Sequence, residues 1–186
     1  SGLSTDTYRH LTQVVAVDPT QFFLQLMPRI EPVNSRYRTM WQKRAEGVAT
    51  QHDMYVKALP WCDMKVYDSV FAGLTPQTMV QLGNSTPVRY AQLFDVWQGK
   101  ESYSNRGTSG IDGCVSTAAG ASSVRTDKQT LLLTGDLSFF YDSNALWNKH
   151  LPDQLKIIII NNGGGGIFRY IPGPSDTEEL DEFFAT

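Results

Sequence analysis

Two stretches of sequence, TLLLTGDLS at residues 130–138 and KIIIINNGGGG at residues 156–166, decide the fold of this chain. Their leucines and isoleucines run without polar alternation, which is typical of strands buried on both faces of a parallel sheet. The segment between them is long enough for a helical crossover, and we expect Trp147 to lie on that helix. Asp136 and Asn162 would then reach the same edge of the sheet, beside a glycine loop. A carboxylate and an amide oxygen at such a place suit a hard divalent cation held against a diphosphate.

Composition and charge exclude several classes of protein. Of the 186 residues, 41% are hydrophobic and 19% are charged, which is a globular rather than a disordered balance. The net charge is −3, and the basic cluster at residues 36–44 is typical of a solvated helix face, so we expect no nucleic-acid partner. The longest aliphatic run, residues 157–160, is too short to span a bilayer, and no signal peptide begins the chain. We therefore predict a cytoplasmic protein with no membrane partner, in which Cys62 and Cys114 are reduced thiols.

The order of the predicted elements after residue 60 defines the fold class. Asp63 is expected to cap a first helix, and strands are predicted at residues 79–82 and 101–104, before the two strands described above. Helices fill the intervals between the strands. Strands and helices that alternate with short connections are typical of a doubly wound parallel sheet, so the predicted class is α/β.

The first 60 residues predict part of a separate domain. Residues 14–17 form an apolar run that we expect to be a strand, and Asp18 caps the helix that follows it. A longer helix is predicted to extend up to a domain boundary near Pro60. The opening strand has no evident partners, and only four strands come after the boundary. We therefore interpret the sequence as the tail of a central α/β domain at residues 1–60, followed by a partial, doubly wound diphosphate- and metal-binding domain at residues 61–186 that is truncated at its carboxyl end.

Four loops at the carboxyl ends of the predicted strands form the candidate site, because ligands of open parallel sheets bind at that edge. These loops lie at residues 83–85, 105–110, 135–138 and 161–166, with Arg89 and Arg106 beside them. Each feature also has a purely structural explanation: Asp136 as a helix cap, the glycines as a slack loop, Arg89 as a surface residue and Ile111 as core. Their occurrence at four strand ends of one sheet favours a binding site.

The same motifs resemble those of thiamine-diphosphate enzymes. Asp136 and Asn162, which are 26 positions apart, match the two ends of the cofactor-binding motif of that family, although Leu137 stands where the motif usually has glycine. The variant GDLS, together with SNRG at residues 104–107 and SGIDG at residues 109–113, is typical of one subfamily. The chain is similar to the 2-succinyl-5-enolpyruvyl-6-hydroxy-3-cyclohexene-1-carboxylate synthases, which are thiamine-diphosphate-dependent transferases of menaquinone biosynthesis.

The resemblance implies thiamine diphosphate as the cofactor and Mg²⁺ or Mn²⁺ as the metal. The metal ligands would be Asp136, the side-chain oxygen of Asn162 and the carbonyl of Gly164. Ile111, next to Gly110 in the cofactor-binding loop, would support the bent shape of the cofactor. Backbone amides or a hydroxyl for the diphosphate would come from Gly135, Leu137, Ser138 and Gly165.

The resemblance also implies the substrates. The family decarboxylates 2-oxoglutarate and adds the resulting succinyl-semialdehyde carbanion to isochorismate. Arg89 and Arg106 would bind the substrate carboxylates, since arginine pairs with a carboxylate through two parallel hydrogen bonds. Ser85 would be a neighbouring polar contact, and Ile167 and Phe168 would form an apolar wall.

No catalytic residue is predicted within this chain. In the family, a glutamate that activates the cofactor is supplied by an amino-terminal domain of the neighbouring subunit, and nothing in the sequence corresponds to that domain. The complete enzyme would be a homo-oligomer, either a dimer or a dimer of dimers. We expect the chain alone to have no turnover.

Two alternatives stay open from the sequence. One is another thiamine-diphosphate carboligase or decarboxylase that acts on pyruvate, against which Arg89 and Arg106 argue. The other is a non-catalytic module whose glycine loop binds some other phosphate. The glycines do not form a P-loop or a dinucleotide-binding fingerprint, which leaves this second alternative without a motif of its own.

Overall fold

A computed structural model of the chain describes residues 5–95, 97 and 100–184. The chain divides into two compact units between Gln51 and His52. The first unit contains helix α1 (Pro19–Leu26) and most of helix α2 (Tyr37–Ala58). Asp18 caps α1 as predicted, because its Oδ1 accepts a hydrogen bond of 3.2 Å from the Gln21 amide.

The strand predicted at residues 14–17 is wrong. These residues form no strand, and Val14 and Val15 are 53% and 56% exposed. A strand needs a neighbour to receive its backbone hydrogen bonds. The described residues of the first unit contain no other strand, so the apolar run has nothing to pair with.

The second unit has an α/β fold built on an all-parallel sheet, which confirms the predicted fold class. The strand order in the described residues is β2-β1-β3-β4, and every neighbouring pair is parallel. The strands are β1 (Thr78–Leu82), β2 (Glu101–Ser104), β3 (Gln129–Gly135) and β4 (Leu155–Ile160). The helices are α3 (Asp63–Ala72), α4 (Thr86–Ala91), α5 (Cys114–Val124) and α6 (Asp136–Tyr141).

Helices cover both faces of the sheet, which explains the unbroken leucine run of β3. Successive residues of a strand point to opposite faces. Leu131 and Leu133 belong to a core cluster with Phe71 of α3 and residues of α4, whereas Leu132 belongs to a second cluster with Val115 of α5. Both sides of β3 are therefore core, as expected of a central parallel strand. β4 is an edge strand, since it pairs only with β3 among the described residues, and Ile159 is 40% exposed.

The crossover from β3 to β4 is not the single helix that was predicted. It consists of α6 and a 3₁₀ turn at Ser143–Leu146, and Trp147 lies after the turn with 83% of its surface exposed. The break falls at Asp142, which is buried. Its Oδ2 accepts hydrogen bonds from the Ser116 amide (2.6 Å) and hydroxyl (2.9 Å) in the first turn of α5. Asp142 therefore satisfies a free amide at the start of α5, and this role ends the preceding helix.

No helix within the described ranges is long and apolar enough to cross a membrane. Cys62 and Cys114 are both free thiols, the second of them buried.

An ion-pair network joins the edge strand β2 to the segment before β3. Glu101, the first residue of β2, accepts hydrogen bonds from Arg125 Nη1 (2.9 Å) and Lys128 Nζ (2.6 Å). Arg125, and after it Lys128, lower the pKa of the Glu101 carboxyl from its usual 4.5 to about 2. A carboxyl group whose pKa is lower in the folded state stabilises that state wherever it is ionised.

We expect Glu101→Gln to lower the thermal unfolding midpoint at pH 7, because the variant loses both ion pairs. The difference between the unfolding midpoints of the variant and the unsubstituted protein should be largest above about pH 4.5. It should shrink as the pH falls towards 2, where Glu101 itself becomes protonated. Thermal unfolding followed by circular dichroism from pH 7 to pH 2.5 measures this. Glu178→Gln, at an exposed position, is the matched control. A difference that stayed constant over the whole range would contradict the prediction.

Candidate functional site

The candidate site lies where the strand order of the sheet changes direction. From β1 the chain adds β2 on one side of the sheet, and then β3 and β4 on the other. Ligands of open parallel sheets bind outside the carboxyl ends of the strands at such a switch point. The loops that follow β1 and β3 meet there, around a pocket of about 100 Å³.

Most of the residues predicted for the site line this one pocket. Gly164 instead lines an adjoining pocket of about 300 Å³, which shares Asp136 and Leu137 with the first. Arg89, Arg106 and Gly110 are not among the residues that line either pocket. The predicted residues in the first pocket are Ser85, Ile111, Gly135, Asp136, Leu137, Ser138, Asn162, Gly165, Ile167 and Phe168.

Asp136 joins the loop after β3 to the glycine loop after β4. Its buried carboxylate accepts hydrogen bonds from the Leu137 amide at Oδ1 (2.8 Å) and from the Gly164 amide at Oδ2 (2.7 Å). An ionised carboxylate has about four acceptor sites, so both oxygens keep a lone pair after these bonds. Asp136 can therefore organise the loop and still bind a cation.

The glycine loop has a defined conformation. Gly163, Gly164 and Gly165 have φ angles of +87°, +79° and +58°, which lie in the left-handed region. Glycine adopts this region without steric cost, because it has no Cβ atom. The conformation at Gly164 directs its amide to Asp136, so the glycine run serves a specific backbone path.

Asn162 is held by a residue that the sequence analysis assigned to another role. Its Nδ2 donates a hydrogen bond of 3.1 Å to Oδ2 of Asp63. The prediction that Asp63 caps α3 is wrong: Cys62 occupies the cap position, and Asp63 is the first helical residue. Asp63 also lines the pocket with Asp136 and Asn162. Its local sequence context resembled an ordinary cap, and the contact joins residues 99 positions apart, so no short-range pattern could reveal it.

Asn84 connects the loop after β1 to the loop after β2. Only 1% of its surface is exposed, and its Nδ2 donates to the carbonyls of Asn105 (2.8 Å) and Gly110 (2.6 Å). Its Oδ1 accepts a hydrogen bond of 2.8 Å from Nη1 of Arg106, which is otherwise exposed. Asn84 lines the pocket and was not predicted as a site residue, although it lies within a loop that the sequence analysis selected.

The other predicted contact residues have mixed surroundings. Arg89 lies on α4 and is exposed. Ser85 has a φ angle of +71°, a conformation that costs a non-glycine residue about 1–3 kcal/mol and is concentrated at functional sites. The Ser138 hydroxyl donates to the carbonyl of Ile111, so this hydroxyl connects two walls of the pocket.

Tyr67 carries a buried hydroxyl with no partner among the described residues. The residue is 1% exposed and lines the pocket. Burial, and to a lesser degree the charge of Asp63, raises the pKa of this hydroxyl, so it stays a neutral donor. Buried polar groups nearly always have a partner.

The donor atoms of the site suit a hard cation. The described residues contain no group of three or more His, Cys, Asp or Glu side chains that could hold a metal ion. The predicted ligand set has a different composition, with one carboxylate, one amide oxygen and one backbone carbonyl. Such oxygen donors are those that Mg²⁺ and Mn²⁺ prefer, so the residues present fit the implied metal.

The fold and the pocket define an α/β protein whose candidate site lies at the switch point of a parallel sheet. No protein-family model matches the chain. It is 43% identical over 182 residues to the 2-succinyl-5-enolpyruvyl-6-hydroxy-3-cyclohexene-1-carboxylate synthase of Flavobacterium psychrophilum, covering 97% of the chain and 33% of that protein. The synthase of Flavobacterium johnsoniae is 41% identical over 97% of the chain and 32% of its own length. The synthase of Christiangramia forsetii is 47% identical over 73% of the chain and 23% of its own length. By sequence, the chain is a homologue of these synthases, and it spans about a third of their length.

We expect Asn84→Ala to destabilise the second unit, because the carbonyls of Asn105 and Gly110 lose the buried amide that donates to both of them. A typical intramolecular hydrogen bond contributes about 0.5–1.5 kcal/mol to stability. Urea unfolding followed by tryptophan fluorescence gives the free energy of unfolding. Asn144→Ala, at an exposed position, is the control, and equal stability of the two variants would show that Asn84 does not hold the loops together.

Proposed function

We propose that the chain is the diphosphate- and metal-binding part of a thiamine-diphosphate-dependent synthase. The observation that carries the proposal is that Asp136 and Asn162 line one pocket at the switch point of the sheet. The similarity of the chain, along 97% of its length, to proteins named as synthases supports the same conclusion.

In this proposal, Mg²⁺ or Mn²⁺ is held by the carboxylate of Asp136, the Oδ1 atom of Asn162 and the carbonyl of Gly164. Asp136 keeps free lone pairs for the cation, and no donor among the residues that the structure describes occupies Oδ1 of Asn162. The ion would neutralise the diphosphate of the cofactor beside the glycine loop.

The walls of the pocket provide groups for the cofactor itself. Tyr67 and Ile111 both line the pocket, and Ile111 offers an apolar surface beside Gly110. When bound, thiamine diphosphate supplies the carbanion chemistry of decarboxylation.

The pocket of about 100 Å³ is smaller than the whole cofactor, so this chain would bind only one end of it. The other walls, and an activating glutamate, would come from a further domain of a neighbouring subunit in a homo-oligomer. Diphosphate contacts would come from Gly135, Leu137, Ser138 and Gly165.

The proposed reaction is the decarboxylation of 2-oxoglutarate and the addition of the remaining four-carbon unit to isochorismate, as a cytoplasmic step of menaquinone biosynthesis. Arg106 would bind a substrate carboxylate, since Asn84 holds one of its nitrogens and leaves the rest of the guanidinium free to pair. Arg89 would be the second cation, Ser85 a polar contact, and Ile167 and Phe168 an apolar wall.

We expect the intact protein to bind thiamine diphosphate only when Mg²⁺ is present. Asp136→Ala should weaken this binding by about 10–100-fold, which corresponds to the loss of one charge-assisted contact of about 1.5–3 kcal/mol. Isothermal titration calorimetry with and without Mg²⁺ measures both effects, and Asp153→Ala at an exposed position is the control. Binding that does not require Mg²⁺, or no binding at all, would contradict the proposal. The 186-residue chain alone should form no product from the two substrates.

We expect Arg106→Ala to raise the KM of the intact protein for 2-oxoglutarate by about 10–100-fold, because one charge-assisted carboxylate contact is lost. Steady-state kinetics with 2-oxoglutarate and with pyruvate measure the change. Arg29→Ala, which removes an arginine from the first unit, should leave KM unchanged. An unsubstituted protein that uses pyruvate better than 2-oxoglutarate would instead favour a different thiamine-diphosphate enzyme.

A further inference from the structure

We infer that Asp63 is a positioning residue that sets the orientation of the Asn162 side-chain amide. The inference rests on the proposed function, in which Oδ1 of Asn162 binds the metal ion. Asp63 itself would not touch the metal. Its effect would be to determine which end of the amide faces the cation.

The chemistry of the two side chains permits one orientation. An amide has a donor end, Nδ2, and an acceptor end, Oδ1, whereas an ionised carboxylate only accepts hydrogen bonds. Oδ2 of Asp63 lies 3.1 Å from Nδ2 of Asn162. If the amide rotated by half a turn, two oxygens would face each other at this distance. Asp63 therefore holds the donor end and leaves the acceptor end for another group.

Asp63 is itself held in place by the core. It begins α3, and this helix is anchored by Tyr67 and Phe71, which are buried against the sheet. The nearby cation Lys65 pairs with Asp68 at 3.1 Å and also donates to the Val56 carbonyl. The carboxylate of Asp63 is thus available to Asn162 from a fixed position.

Fixing the amide affects metal affinity because an inverted amide would present hydrogens to a cation. Groups that orient metal ligands in this way typically contribute about 10–100-fold to metal affinity. We therefore expect Asp63→Ala to weaken Mn²⁺ binding by a factor in this range. Asp153→Ala, which removes the same charge at an exposed position that does not line the pocket, is the control and should have little effect.

Measuring the effect of Asp63→Ala again in a protein that also carries Asn162→Asp distinguishes orientation of the amide from a general structural or electrostatic role. In the Asn162→Asp variant the ligand becomes a carboxylate, whose two oxygens are equivalent and need no orientation. If Asp63 acts by orienting the amide, Asp63→Ala should cost much less affinity in the Asn162→Asp background than with Asn162. A role that does not act through residue 162, such as support of α3 or the long-range attraction between the Asp63 charge and the cation, predicts a similar loss in both backgrounds.

The experiment measures Mn²⁺ binding to the intact protein with saturating thiamine diphosphate, by the EPR signal of free Mn²⁺. A loss of affinity in Asp63→Ala that largely disappears in the Asn162→Asp background supports the inference. Equal losses in both backgrounds, or no loss with Asn162, overturn it.

A conservative variant keeps the inference testable if the alanine variant does not fold. Asp63→Asn keeps the shape of the side chain, and it should also weaken Mn²⁺ binding, because an amide at position 63 can pair with either end of Asn162. Unchanged affinity in this variant would again overturn the inference. If the unsubstituted protein binds no Mn²⁺ with the cofactor, the proposed function fails, and this inference fails with it.

Discussion

The hydrogen bond between the Gly164 amide and the Asp136 carboxylate determines how the loops after β3 and β4 are arranged at the carboxyl ends of the strands. β3 and β4 are adjacent and parallel, so the residues that follow them come close together, and this bond fixes their separation. The amide reaches the carboxylate because Gly164 has a left-handed conformation, so the glycine run and the acidic residue depend on each other. Asn84 performs a comparable task for the loops after β1 and β2. Two buried polar side chains thereby give four loops a common arrangement around the pocket.

Much of this architecture could be predicted from the sequence because it depends on short-range patterns. The runs at residues 130–134 and 156–160 are apolar on both faces, and the structure confirms them as parallel neighbours. Adjacent parallel strands bring their carboxyl ends together, so Asp136 and Asn162 could be expected near each other from the order of the elements alone. The glycines after Asn162 could be recognised as a loop, but their left-handed angles became clear only from the structure.

The elements that were predicted wrongly, or missed, depend on contacts between distant residues. An apolar run at residues 14–17 has the composition of a strand, yet a strand also requires a partner, which sequence composition does not show. Asp142 ends α6 because it bonds to Ser116, 26 positions earlier. Asp63 has the local context of a cap, and its true partner lies 99 positions away. In each case a long-range hydrogen bond, or the lack of one, decided between locally acceptable structures.

The position of β4 at the border of the sheet has a consequence for the behaviour of the chain in solution. Within the described residues, one side of this isoleucine-rich strand has backbone amides and carbonyls without a neighbouring strand. Unprotected borders of this kind are templates for strand addition, by further sequence in a larger assembly or by another copy in concentrated solution. We therefore expect the open edge of β4 to affect self-association at high concentration, separately from any chemistry at the pocket.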